Sequence, residues 1–399
     1  MNRVLEVFVV FLRLGFTSFG GPVAHLAFFH DAFVKRLKWL DEETYSDTLA
    51  LCQFLPGPGS SQLGFAIGYL RAGIPGAFAA FVGFTVPSAA LMIGFGMGML
   101  HISPDADAPW LQGLKIAVVV VVAKAVWGMA KQLCPDRSRI TLAIACAVTM
   151  LALGIAWAQV AVIVIGGVFG AMIFRSKDDA PIPTKAAEIG KQESRLKSSF
   201  WLVLFFVMLI GLPSAANIFG WEEATFFSGF FQAGSLVFGG GHVILPLLRD
   251  FVVPNGWMTD DAFMAGYGAA QAMPGPLFTI AAYLGTVAQD APFGGIVGGI
   301  VALLAIFVPS WLLVLGALPF WKRMRGNPVF AAALKGANAA VVGILIAALY
   351  QPVWLAGIRE PRHFIIGLIL FGLVMFWKLP PWASVILAAG LGYGILGLT

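Results

Sequence analysis

The sequence has little charge. Asp, Glu, Lys and Arg make up 11% of its 399 residues, against roughly 25% in a soluble domain. That deficit excludes an ordinary soluble fold, which keeps its surface in water with such residues. Cysteine and histidine are also scarce, at three and five. Cys52, Cys134 and Cys146 sit in or beside apolar stretches without C-x-x-C spacing, so neither a disulfide framework nor a metal site is suggested. No flavin, haem or metal site emerges from such scattered residues; no cofactor is expected, and the chain does not read as an enzyme. It has no G-x-x-x-x-G-K-[ST] loop to bind ATP. The net charge of +5 comes from scattered basic residues, which suit loops facing an anionic leaflet rather than nucleic acid.

What the chain does have is apolar length. Hydrophobic residues make up 59%, in stretches long enough to cross the ~30 Å core of a lipid bilayer. Thirteen segments are expected, near 4–21, 47–70, 74–100, 111–130, 139–157, 159–174, 200–219, 224–248, 262–288, 292–318, 330–350, 363–377 and 380–397. The fold class is therefore an all-α polytopic membrane protein with no soluble domain of useful size. Glu6 and Arg13 interrupt the first stretch and no small-residue cleavage site follows, so it does not read as a cleaved signal peptide.

The polar linker 175–199 carries Arg175, Lys177, Lys185, Lys191, Arg195 and Lys197, which places it in the cytoplasm by the positive-inside rule. Six preceding spans put the N-terminus there too. Lys131, Arg137, Arg139, Lys322, Arg323 and Arg325 also fall inside, and the Asp105–Asp107 loop outside. Lys35, Arg36 and Lys38 dissent, since they fall outside; the first segment then need not cross fully.

The chain repeats itself. Phe19-Gly20-Gly21, Trp39-Leu40-Asp41-Glu42-Glu43 and Gln53-Phe54-Leu55-Pro56-Gly57-Pro58 recur in order as Phe238-Gly239-Gly240, Trp257-Met258-Thr259-Asp260-Asp261 and Gln271-Ala272-Met273-Pro274-Gly275-Pro276. Pro87-Ser88 then matches Pro309-Ser310, and Leu114-Lys115 matches Leu334-Lys335. Five landmarks in one order mark a duplication: a first repeat over 1–174, the linker 175–199, a linking helix over 200–219 and a second repeat over 220–399. An odd number of crossings separates matching positions, so the two repeats are expected to be inverted, each with about six segments that include broken or re-entrant helices. Such repeats build transporters around one midplane site.

Backbone breaks within a bilayer survive only where protein or a watery cavity covers them, and a helix restarting there offers free N–H groups to an anion. The candidate substrate-binding residues are therefore the breaks themselves: Phe19, Gly20, Gly21, Pro56, Gly57 and Pro58 in the first repeat, and Phe238, Gly239, Gly240, Pro274, Gly275 and Pro276 in the second. Gly94-x-x-x-Gly98 and Gly166-x-x-x-Gly170 read instead as close helix contacts. Arg13, Lys115 and Lys335 lie well inside apolar segments, with Lys124 nearer an end. Each costs about 2.5–3.5 kcal/mol at a helix centre, and Glu6 is the sole acid in those segments. An exogenous anion would balance them; snorkelling is the plainer alternative. His25 and His242 follow the breaks, as anion donors, proton carriers or structural histidines. Asp41 or Thr259 suits a helix cap, while Glu42, Glu43, Asp260 and Asp261 are the proton-coupling candidates.

These motifs resemble the chromate ion transporter family in its long, two-domain form. The resemblance covers almost the whole chain and implies efflux of chromate across the plasma membrane, with sulfate as structural analogue. Gly241 stands in the second repeat where Pro22 stands in the first, and His242 is shifted relative to His25. The expected partners are thus a sulfate-like oxyanion and the bilayer, and a homodimer is compatible with the sequence. The leading reading is a secondary transporter for a tetrahedral dianion. An anion channel, or a carrier of sulfate or another oxyanion, is the nearest rival.

Overall fold

The computed structural model describes residues 2–102, 108–153, 156–175, 195–238, 241–321 and 327–396. Gly239, Gly240, Asp105, Asp107, Lys177, Lys185, Lys191, Lys322, Arg323 and Arg325 lie outside the described residues. Regular structure among the described residues is all helical. Five of these helices are long and apolar enough to cross a membrane.

The first segment does not run straight through. Helix α1 (Arg3–Thr17) starts at Asn2, whose side chain accepts the Val4 N–H at 3.1 Å. It stops at Ser18, because Gly20 and Gly21 take φ of +102° and +75°, a region open mainly to glycine. Helix α2 (Gly21–His30) restarts with Pro22 in its first turn, where the missing N–H costs nothing. The new helix folds back on the old one: Phe29 packs edge-on against Phe11 at 5.6 Å, and Phe33, just beyond α2, stacks on it at 4.9 Å. Glu6 pairs with Arg71 at 3.0 Å, and the Arg71 guanidinium lies 5.0 Å from the centre of the Trp39 ring. Glu6 and Trp39 thus share one end of a hairpin whose tip is the Gly-Gly break.

A second hairpin follows. Helix α3 (Glu42–Phe54) ends before Leu55–Pro58, and α4 (Gly59–Ile102) begins at the glycine after the prolines. The first arm of α4 returns to Arg71, near Trp39. Its 13 residues to Arg71 span about 20 Å at 1.5 Å per residue, short of a bilayer. At Ala72 and Gly73 the backbone leaves the helical region, with Gly73 at φ +64°. The second arm then turns back along the first, with Gly68 and Gly76 too close for either to carry a Cβ. Segment 4–21 therefore ends at the tip of one hairpin and segment 47–70 runs around the tip of the next, rather than each being a single span. Lys35, Arg36 and Lys38 consequently lie at the same end as Glu6.

Helices α5 (Pro109–Leu133), α6 (Arg137–Leu153) and α7 (Ala156–Ile173) complete the first half, and α8 (Arg195–Phe219) leads into the second. Helix α8 packs on α9 (Glu222–Ser235) and α13 (Gly295–Ala317) with much of its surface exposed. Helix α9 and α10 (Ile244–Val252) form a third hairpin, α11 (Asp260–Ala272) and α12 (Ile280–Val287) a fourth. Their open ends meet at Trp257, which packs on Phe226 at 5.2 Å and accepts the Gln289 N–H at 2.9 Å. The chain ends with α14 (Pro328–Ala348), α15 (Pro361–Met375) and α16 (Pro381–Leu391).

The halves exchange helices. In the first, α6 and α7 pack on α14; in the second, α15 and α16 pack on α5. Gly166 and Gly170 press against Gly336 with no room for a side chain, whereas Gly94 and Gly98 face open space. The small-residue spacing is thus a contact in the first case and not in the second.

Candidate functional site

The hairpins meet tip to tip. Gly57 donates its N–H to the Val237 carbonyl at 2.7 Å, and Gly275 donates to the Ser18 carbonyl at 2.9 Å. Ser18 precedes Phe19 as Val237 precedes Phe238, so each Pro-Gly-Pro break is tied to the glycine break of the other half at a matching position. Both donors are glycines at positive φ, +125° and +86°. A Cβ on Gly57 would stand 2.9 Å from the Ser310 hydroxyl, and one on Gly275 2.9 Å from the Ser88 hydroxyl. Ser88 and Ser310 are themselves a matched pair.

His25 organises the first tip. Fully buried, it meets the Ser18 carbonyl through Nε2 at 3.2 Å and the Ser60 hydroxyl through Nδ1 at 3.3 Å. A carbonyl can only accept, so Nε2 carries the proton in the neutral ring and Nδ1 accepts from Ser60. Its counterpart takes a different partner: His242 Nδ1 lies 2.8 Å from the Tyr267 hydroxyl.

Between the tips lies a cavity of about 230 Å³. Its walls come from three breaks, through Pro22, through Gly57 to Ser61 and through Pro276 to Phe278, with Gly241 from a fourth. Gln53, Gln132 and Asn338 add side-chain amides. A water molecule takes about 30 Å³ in the liquid, so a tetrahedral oxyanion fits here with part of its hydration shell. Among the described residues, no charged side chain lines the cavity.

Of the expected site residues, Gly57, Pro58 and Pro276 line the cavity. Pro56 accepts the Gln62 side-chain amide at 2.7 Å, and Pro274 is buried beside Gly275. Phe19 packs at 5.9 Å from Trp382. Phe238 faces a separate apolar cavity beside α7 and α14. The charges land elsewhere. Arg13 lies on the exposed face of α1. Lys115 is fully buried but paired, its Nζ 2.6 Å from Asp261 Oδ1. The balancing acid sits on α11, in the other half, which a search for acids within the same apolar segments misses. Lys335 is half-buried on α14.

The W-x-x-[DE]-[DE] elements stand at the open ends of the hairpins, away from the tips. Asp41 caps α3 by accepting the Thr44 N–H at 2.7 Å, which holds its carboxyl below the usual range. Thr259 caps α11 through the Ala262 N–H at 3.2 Å. Glu42 pairs with His30 at 2.9 Å, and Asp260 holds Arg249 by two contacts at 2.8 and 2.9 Å. Glu43 follows Glu42 in the first turn of α3, as Asp261 follows Asp260 in α11. Among the described residues no group of three or more His, Cys, Asp or Glu is placed to hold a metal ion. Sequence reasoning missed the neutral lining residues Gln53, Ser60, Ser61, Gln132 and Asn338. Gly59-Ser60-Ser61, directly after the prolines, was the available signal.

Comparison with known proteins gives the same direction. The chain is 27% identical to a probable chromate transport protein of Synechococcus elongatus over 92% of this chain and 88% of the relative. It is 28% identical to a chromate transport protein of Pseudomonas aeruginosa, over 97% and 91%. An uncharacterized transporter of Methanocaldococcus jannaschii is 26% identical over 98% and 94%. No solved structure matches. The model of the chromate transporter family matches residues 5–171 and 224–393, and with that coverage the chain belongs to this family.

Proposed function

We propose that this protein is a secondary transporter that exports chromate and sulfate-like tetrahedral dianions through the cavity between the hairpin tips. The observation that carries the reading is the meeting of Pro22, the Gly57–Ser61 and Pro276–Phe278 breaks and Gly241 around one cavity that, among the described residues, no charged side chain lines. Unpaired backbone N–H groups at such breaks are a reason for an anion to enter, and the surrounding helices cover the broken backbone. The two relatives named as chromate transport proteins make chromate the first substrate to test.

The halves are inverted repeats. Tip-to-tip contacts at matching positions, with open ends facing away from one another, are what a two-fold axis in the membrane plane produces. The end bearing Lys35, Arg36 and Lys38, together with Arg137 and Arg139, faces the cytoplasm of the inner membrane. The cavity reaches Gln132 and Leu133 at the C-terminal end of α5. Toward the N-terminal end of the same helix, Lys115 pairs with Asp261. The conformation is therefore open to the cytoplasm and closed outside.

A dianion leaving a negative interior gains about 4.6 kcal/mol per 100 mV, roughly a 2000-fold gradient. Potential alone suffices for export. The test is chromate uptake into inverted membrane vesicles under an imposed potential. Saturable uptake, competition by sulfate and stimulation by oxyanion on the far side are expected. Non-saturating flux without trans-stimulation would make the protein a channel.

A further inference from the structure

The geometry points to the first turn of α4 as the oxyanion subsite, with the backbone N–H groups of Ser60 and Ser61 and the Ser61 hydroxyl as donors; this rests on the transport reading above. A helix N-terminus alone is no more than an opportunity. The second observation is Ser61 itself. It lines the cavity and is 8% exposed, and its Oγ has no hydrogen-bond partner among the described residues. A buried hydroxyl without a partner is destabilising unless a ligand completes it. The first backbone bond of the helix runs from Gln62 N–H to Pro58 O at 2.9 Å, so the N–H groups ahead of it have no intrahelical acceptor.

The matching turn in the second half lacks this feature. Thr279 matches Ser61 by the register of the Pro-Gly-Pro motifs, yet its hydroxyl donates to the Pro276 carbonyl at 2.7 Å. Leu277 and Phe278 stand where Gly59 and Ser60 stand in the first half. One tip therefore presents polar donors to the cavity and the other an apolar wall. The subsite belongs to the first half only, although the backbone scaffold is duplicated. Because the donors are neutral, the loaded step moves the full charge of the dianion across the membrane potential.

The experiment uses purified full-length protein and sulfate, which does not oxidise the cysteines, with binding read by calorimetry and by thermal stabilisation. Ser61→Ala is expected to weaken sulfate binding by about 10-fold or more, the loss typical of a hydrogen bond to a charged group. Ser61→Asp, which sets a carboxylate in the subsite, is expected to abolish it. Ser61→Thr, which keeps the hydroxyl, is expected to retain part. Ser61→Gly removes the same hydroxyl without needing space and replaces the alanine variant if that fails to fold. Ser214→Ala, on exposed α8, serves as the control. Unchanged affinity in the alanine and aspartate variants, with the wild type binding sulfate, would overturn the subsite and leave the transport reading standing. A wild type that neither binds sulfate nor transports chromate overturns both.

Discussion

Lys115 and Asp261 bind each other across the two halves of the protein, Nζ to Oδ1 at 2.6 Å. The lysine side chain is fully buried and the aspartate 21% exposed. Arg359 reaches the same oxygen at 3.4 Å. Helix α5 from the first half is thereby fastened to the start of α11 from the second. The cost of placing a lysine within the membrane is offset locally by the aspartate, so this cation does not depend on a transported anion.

Breaking the pair should therefore destabilise the protein rather than tune its affinity. Removing one partner of a buried ion pair costs about 3–5 kcal/mol, because the other charge stays behind. Lys115→Met and Asp261→Asn should each lower the melting temperature of the detergent-solubilised protein and its yield in the membrane. The double variant should melt above either single one, since neither charge is then stranded. If Lys115→Met melts with the wild type, the pair carries no such weight.

Glycine matters unequally along the breaks. Gly57 has φ of +125°, and a Cβ there would stand 2.6 Å from the Gln62 amide nitrogen and 2.9 Å from the Ser310 hydroxyl. Gly21 also has a positive φ, +75°, but a Cβ there meets nothing within 4 Å. Gly21→Ala should thus cost only backbone strain, about 1–3 kcal/mol for a non-glycine residue in this region. Gly57→Ala adds a collision at the point where the halves are bonded together, and should be the more damaging substitution. Thermal melting of the two variants side by side checks the order. The reverse order would mean that the tip contact between Gly57 and Val237 is not what holds the halves.

Much of this architecture was legible in the sequence, for identifiable reasons. Membrane class follows from composition, and the breaks follow from Gly20-Gly21 and from Pro56-Gly57-Pro58, since proline and positive-φ glycine interrupt a helix whatever surrounds it. Re-entrant helices were expected, but which segments form them was not legible, because an arm of 15 residues and a short span have the same apolar composition. The one sign was positional, in the misfit of Lys35, Arg36 and Lys38. The acid that pairs with Lys115 was not legible because it lies 146 positions away in the chain, beyond the reach of local pattern. The exposure of Arg13 was not legible because helical phase, not depth in the segment, decides whether a side chain points outward. Apart from Gly59-Ser60-Ser61 directly after the prolines, the neutral lining residues carry no distinctive signal. Serine and glutamine occur in ordinary helices too, and only the fold brings Gln53, Ser61 and Asn338 to one cavity.

Side-specific labelling distinguishes hairpins from spans. Single cysteines at four exposed positions, Lys38, Arg137, Asn255 and Arg359, can be placed in a variant lacking Cys52, Cys134 and Cys146. With the first two segments counted as crossings, positions 38 and 137 fall on opposite sides of the membrane. With hairpins they fall on the same side, as Glu6, Arg71 and Trp39 sharing one end requires. In the same way, positions 255 and 359 should label together, from the side opposite to the first pair, because Trp257, Phe226 and Gln289 share the open end of the second set. The expected pattern in intact cells and in inverted vesicles is therefore two and two: 38 with 137 from the cytoplasm, 255 with 359 from outside. Labelling of all four from one side would falsify the inverted arrangement. Separation of 38 from 137 would return the first segments to simple spans and leave the positive charge of Lys35, Arg36 and Lys38 facing outward, against the bias that orients membrane helices.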